Sequence, residues 1–268
     1  MSELSFRLPG GLEFSEEPLE NPPVPRDAAT VILLRDTDHG LEVFLQRRVA
    51  AMAFAGGMTV FPGGGVDRRD ADASVSWAGP PAGEWAAWFG GTEPVGRALV
   101  CAAVRETFEE SGVLLAGTPD AVVADAAQYS RARQQLVSRE LSLATFLAEN
   151  SLTLRADLLR PWAHWITPPQ EARRYDTRFF AAVLPEGQHA DGATTEAESS
   201  GWQRPRDALA DAEAGRSMLM PPTWHTLAEL AEFTTAAEAL AAERKVHPIV
   251  PTLVREGDNI RVILGDGE

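Results

Sequence analysis

Arg105-Glu106-Thr107-Phe108-Glu109-Glu110-Ser111-Gly112-Val113 decides the reading of this chain. Flanked by Ala102, Ala103 and Val104 before and Leu114 and Leu115 after, it predicts the end of a helix. Gly112 is the expected stop, because glycine accepts the left-handed conformation that closes many helices. At about 100° per residue, Glu106, Glu109 and Glu110 share one face, while Cys101, Val104 and Phe108 can turn toward a core. Crowded carboxylates repel one another, and a single basic neighbour, Arg105, cannot neutralise them all. Two readings stay open on these residues alone: a solvated acidic face, or a site for Mg²⁺ or Mn²⁺, which take oxygen ligands.

Upstream, Val60-Phe61-Pro62-Gly63-Gly64-Gly65 is an apolar run closing on proline and glycines. It predicts a strand entering a turn whose backbone must come close to something. Together the two pieces resemble the Nudix hydrolase box, G-x5-E-x7-R-E-U-x-E-E-x-G-U with U aliphatic. Gly64 matches its first glycine and Arg105 to Val113 its second half. Gly64 and Arg105 stand 41 positions apart against 14 in the box, an insertion of 27 residues. Thr107 also replaces the usual aliphatic residue, and Asp70 falls where the first glutamate would be. This split box is similar to the branch that holds the peroxisomal coenzyme A diphosphatases of mammals.

The resemblance implies an α/β fold, a Nudix α/β/α sandwich on a mixed β-sheet. It implies metal-assisted attack of water on a diphosphate, with Mg²⁺ or Mn²⁺ held by Glu106, Glu109, Glu110 and the Gly64 carbonyl. Arg105 would orient the carboxylates by pairing with Glu109 one turn on. The base is Glu106 or one of Glu196 and Glu198, which precede Trp202 where the family often carries a carboxylate. Coenzyme A-cleaving members often show R-[S/A]-x3-R-x3-G-x3-F-P-G-G before the box. Arg48, Gly57 and Phe61 match that pattern, whereas Val49 and Ala53 depart from it. Residues 169–180, PQEARRYDTRFF, are similar to the same branch and offer Arg173 and Arg174 as further substrate contacts. The expected substrate is coenzyme A or acyl-coenzyme A, cut to 3′,5′-ADP and (acyl-)4′-phosphopantetheine. ADP-ribose, a dinucleotide or an oxidised nucleotide is the alternative, and a non-catalytic nucleotide-sensing regulator is the reading from another class.

Composition bounds the rest. A net charge of −15 opposes non-specific binding to nucleic acid. No apolar run approaches the roughly 20 residues that span a bilayer, so no membrane partner is expected. The N-terminus lacks the basic start and apolar core of a secretory signal, and Cys101 is the only cysteine. These make the cytoplasm the default compartment. The expected partner is a small-molecule nucleotide, with a homodimer as the oligomer to consider.

Residues 1–27, rich in Pro, Gly and Glu, read as an N-terminal arm, and 28–268 as one domain with insertions at about 68–95 and 118–150. The first insertion reads as loop-like, anchored by Trp77, Trp85, Trp88 and Phe89; the second reads as helical. Residues 28–35 and 41–47 predict a hairpin with His39 exposed in its turn, 158–167 and 177–184 predict strands, and 223–244 predict one helix.

Overall fold

Ala29, Val31 and Leu33 pack into one core and Ile32 and Leu34 into another, and all five are fully buried. A strand apolar on both faces belongs inside a sheet covered on both sides. A computed structural model, which describes residues 4–9, 15–52 and 54–266, shows that arrangement. The strands are β1 (Leu4–Pro9), β2 (Arg26–Thr37), β3 (Gly40–Arg48), β4 (Thr59–Val60), β5 (Gly63–Gly65), β6 (Trp77–Ala78) and β7 (Ala116–Gly117). They continue as β8 (Thr153–Arg155), β9 (Arg160–Ile166), β10 (Tyr175–Val183), β11 (Ala197–Gln203), β12 (Pro248–Glu256) and β13 (Asn259–Asp266). The helices are α1 (Ala82–Phe89), α2 (Glu93–Ser111), α3 (Ser130–Val137), α4 (Leu143–Glu149), α5 (Pro205–Glu213), α6 (Pro221–Leu230) and α7 (Ala236–Ala241).

The main sheet runs β1-β13-β12-β9-β10-β2-β3-β11, with β4 on β3 and β5 on β2. It is mixed, because β2 pairs parallel with β10 and β9 with β12, while the other pairings are antiparallel. Helices α1 to α4 cover one face through Trp85, Phe89, Val104, Phe108 and Phe146, and α5 to α7 cover the other through Ala208, Leu227, Leu230 and Ala236. This is the expected α/β/α sandwich. A three-stranded sheet, β6-β8-β7, ties the two insertions to the end of α2. Among the described residues no helix is long and apolar enough to cross a membrane.

Two expectations need correcting. The first insertion is not a loop, since it carries α1, whose Trp85 and Phe89 are one turn apart and pack on Phe180 of β10. Burying two aromatic rings offsets the poor helix propensity of its glycine. The single helix expected over 223–244 is two, because Thr235 and Glu238 form a reciprocal cap that starts α7 afresh. At the end of the chain β12 and β13 form an antiparallel pair, and β13 pairs with β1 from the expected arm. Further along that arm, Leu19 N–H donates to Pro169 O, and Arg174 donates to Pro23 O at 3.0 Å.

Trp85 has no solvent exposure and contacts Trp88, Phe89 and Phe180. Trp85→Ala is therefore expected to cost about 3–5 kcal/mol in urea unfolding. A loss under about 1 kcal/mol would show that the insertion does not share the core.

Candidate active site

The last turns of α2 present Arg105, Glu106, Glu109 and Glu110 toward β5, while Cys101, Val104 and Phe108 are buried behind them. Gly112, at φ +75°, ends the helix and donates its N–H to Phe108 O at 3.0 Å. Thr107 is tolerated in an apolar position because its hydroxyl donates to Ala103 O at 2.7 Å, one turn back.

Arg105 is the centre of the polar network. Its Nε and Nη2 hold Asp70 in a bidentate pair at 3.0 and 2.9 Å, and Nη2 also donates to Gly65 O at 2.9 Å. Its Nη1 reaches Glu106 at 2.6 Å and, less closely, Glu109 at 3.4 Å. Asp70 itself is 2% exposed and accepts the N–H of Asp67, fixed in a 3₁₀ turn, Arg68–Ala71.

Two of the three glycines of β5, Gly63 and Gly64, are dictated by proximity. A Cβ on Gly63 would sit 2.5 Å from Ala29 O, and one on Gly64 would sit 2.7 Å from the Glu106 carboxylate. Gly63 N–H donates to Glu110 Oε2 at 2.9 Å, and the Gln46 amide donates to the same oxygen. Glu110 also feels Arg48 and Glu196 electrostatically. Arg48, at the end of β3, bonds Glu196 at 3.1 Å, and Val49 N–H donates to Glu196 O at 2.9 Å. Gly57 (φ +75°) closes the loop by donating to Arg48 O at 3.0 Å.

With this geometry established, the comparisons decide the family. The family model described as the NUDT19 Nudix domain matches residues 89–230, more than half of the chain. The chain belongs to the Nudix hydrolase family. A putative nudix hydrolase 7 of Caenorhabditis elegans is 28% identical over 207 residues, which cover 77% of this chain and 61% of that protein. Proteins named acyl-coenzyme A diphosphatase NUDT19 from Xenopus laevis and Homo sapiens are 24% and 26% identical, covering 80% and 74% of this chain and 71% and 63% of theirs. Among solved structures, a NUDIX hydrolase from Alicyclobacillus acidocaldarius aligns with TM-score 0.66 and 26% identity over 83% of this chain and 98% of its own.

Nudix hydrolases generally use divalent cations, and the residues here fit one. The donors are hard carboxylate oxygens, and the space a Cβ at Gly64 would fill brings the backbone against Glu106. Burial pushes Glu106 up to about 7, with Arg105 opposing, and burial and the nearby Glu106 push Glu110 up to about 8. Burial raises Glu109 as well. Such buried carboxylates are relieved by a cation or a proton. Among the described residues, no three His, Cys, Asp or Glu side chains converge as a ready-made cage. Each glutamate of the box is held by a protein donor instead.

Not every residue of the sequence pattern meets this site. Phe61, expected to touch substrate, is 2% exposed and packs into the core on the opposite face with Ile32 and Leu34. It lies in the short link between β4 and β5, with its ring in the core that excludes the carboxylates. Glu198 lies at a break in the β11 register and reaches Arg47, at 3.8 Å, rather than Arg48. Arg174 is engaged by the Thr167 and Pro23 carbonyls, while Arg173 is exposed. Ala53 lies outside the described residues. Gln46 escapes sequence reasoning, because a lone glutamine in an apolar strand carries no signal until the fold sets it against Glu110.

The raised carboxylates give the pH dependence a definite sign. Their folded pKa values, about 7 and 8, exceed the ordinary 4.5, so below pH 8 the folded state binds more protons than the unfolded. With chelator present, the unfolding midpoint is expected to fall as pH rises from about 5 to about 8. Mn²⁺ affinity should rise over the same interval, because the ion displaces those protons. Glu110→Gln should flatten both trends; unchanged slopes in scanning calorimetry and titration calorimetry would exclude this carboxylate as their source.

Proposed function

We propose that this chain hydrolyses the diphosphate bond of a nucleoside diphosphate linked to another group, with coenzyme A or an acyl-coenzyme A as substrate. The observation that carries the reading is the joining of Arg105, Glu106 and Glu110 to the Gly63–Gly65 turn, with Glu109 on Arg105 and the Arg48–Glu196 pair acting on the Glu110 charge. The names of the vertebrate relatives support the coenzyme A assignment.

In this reading Glu106, Glu109, Glu110 and the Gly64 carbonyl hold Mg²⁺ or Mn²⁺. The bound ion would neutralise phosphate charge and lower the pKa of water. Arg105 keeps Glu106 and Glu109 oriented and is itself held by Asp70. Glu196 takes the proton from the attacking water, and Arg48, paired to it, meets a phosphate oxygen by exchanging one anionic partner for another. The bridging P–O bond breaks, leaving 3′,5′-ADP and the pantetheine phosphate.

A second reading, ADP-ribose, draws support from one observation. Arg174, a candidate reader of the 3′-phosphate that distinguishes coenzyme A, is already bonded to two carbonyls. That leaves Arg48 and Arg173 as the cations for this phosphate.

Rates of phosphate-bond cleavage for coenzyme A, 3′-dephospho-coenzyme A and ADP-ribose, with Mg²⁺, Mn²⁺ or chelator, test the proposal. The expected order is coenzyme A first, by about tenfold or more in kcat/KM, with no turnover in chelator. Preference for ADP-ribose would move the assignment to the second reading. Glu110→Gln is expected to lower kcat by about a hundredfold with circular dichroism unchanged; near-parental turnover would remove the site.

A further inference from the structure

The insertion at 118–150 sends one side chain back to the end of the Nudix helix. Arg133 of α3 is 9% exposed, and its Nε donates to the Glu109 carbonyl at 3.0 Å. Its Nη1 pairs with both carboxylate oxygens of Asp191, at 2.8 and 2.9 Å. Asp191 in turn donates its N–H to Ser111 O at 2.8 Å. The final carbonyls of a helix have no partner within it, so they must be met from outside. Here Phe108 O is met by Gly112, Glu109 O by Arg133 and Ser111 O by Asp191. A cation at this end also suits the helix dipole.

Asp191 opens the turn that leads to Glu196. Its carboxylate accepts the Ala193 N–H at 2.9 Å, and Glu196 N–H donates to Thr194 Oγ1 at 3.2 Å. The crossing is tight: a Cβ on Gly112 would lie 2.8 Å from Arg133 Nη1 and 3.0 Å from Asp191 Oδ2. Arg133 thus bonds the last helical turn, which carries Glu109 and Glu110, and the turn that carries Glu196.

We infer that Arg133 is a positioning residue, supplied by the insertion, that holds the helix carboxylates and the Glu196 turn at a fixed separation. The inference rests on the reading of those glutamates as the reaction centre. A planar guanidinium can serve a carbonyl and a carboxylate at once, and lysine cannot reproduce that fork. Loosening the turn alters the alignment of base and carboxylates more than it alters binding of the nucleotide.

The test measures turnover of the preferred nucleotide and Mn²⁺ binding by electron paramagnetic resonance for Glu110→Gln, Arg133→Met, Arg133→Lys and Asp191→Asn. Arg133→Met is expected to lower kcat by about tenfold or more, with KM within about twofold, and to weaken Mn²⁺ binding severalfold. Arg133→Lys should recover part of kcat. Asp191→Asn, altering a half-exposed side chain, should lower kcat by about threefold or more, and it decides the matter if Arg133→Met does not fold. If Glu110→Gln is inactive while these folded variants keep kcat within about twofold, Arg133 has no positioning role and the site reading stands. A rise in KM with kcat unchanged excludes the positioning role in the same way. If Glu110→Gln keeps parental turnover, the site reading itself fails, and this inference with it.

Discussion

One guanidinium organises the acidic end of α2. Arg105 lies with its charge among Asp70, Glu106 and Glu109, and it also binds the carbonyl of Gly65. Asp70 precedes most of the inserted segment and Arg105 follows it, so their bidentate pair rejoins the two halves of the box across the insertion. Removing Arg105 would strand the buried Asp70 carboxylate, which costs far more than the net value of the pair. That asymmetry explains how a long insert can stand inside a motif whose geometry is demanding. The insert leaves the 3₁₀ turn after Asp70 and returns through α1 into α2, and neither passage disturbs the ion pair.

The same end of the helix carries more negative charge than Arg105 can balance. Glu106 and Glu110 are held at raised pKa values by burial, although Gly63 N–H and the Gln46 amide serve Glu110. A folded protein keeps such groups because something besides stability requires them. Cys101, one helical turn below, shows the contrast: burial pushes its thiol up to about 12, and it behaves as core. Buried ionisable groups on one helix therefore serve opposite ends, according to which face they occupy.

Both insertions contribute to packing as well as to the outline of the site. Trp85 and Phe89 of α1 complete the core above Phe180, and Phe146 of α4 stacks on Phe108 of the Nudix helix. Helices this short have little stability of their own, so their burial holds them. The opposite face, where Arg244 lies over Trp162 and bonds Glu229, gives the sheet its second layer without approaching the carboxylates.

How much was legible in advance follows from the range of each interaction. The helix ending at Gly112, the hairpin of β2 and β3 and the close approach of the glycine turn are local, and periodicity, glycine chemistry and the box pattern carried them. The carboxylate face of α2 was legible because three and four residues make one turn. The helix inside the first insertion was not, since its glycine and flanking prolines speak for a loop and its reason to fold is a contact with Phe180. Phe61 matches the motif yet packs on the other face, because a pattern of residue types does not state which way a side chain turns in the link between two strands. Spacing before Trp202 favours Glu196 over Glu198 only weakly, and it is the pairing of β11 with β3 that sets one at Arg48 and the other at Arg47. Gln46 and Arg133 carry no local signal, for each acts on a residue 64 or 24 positions away. Sequence alone determined the acidic helix and the turn it faces, because both arise from neighbours along the chain. Only the tertiary structure decided which distant side chains meet them, because that depends on strand register and on how the insertions pack.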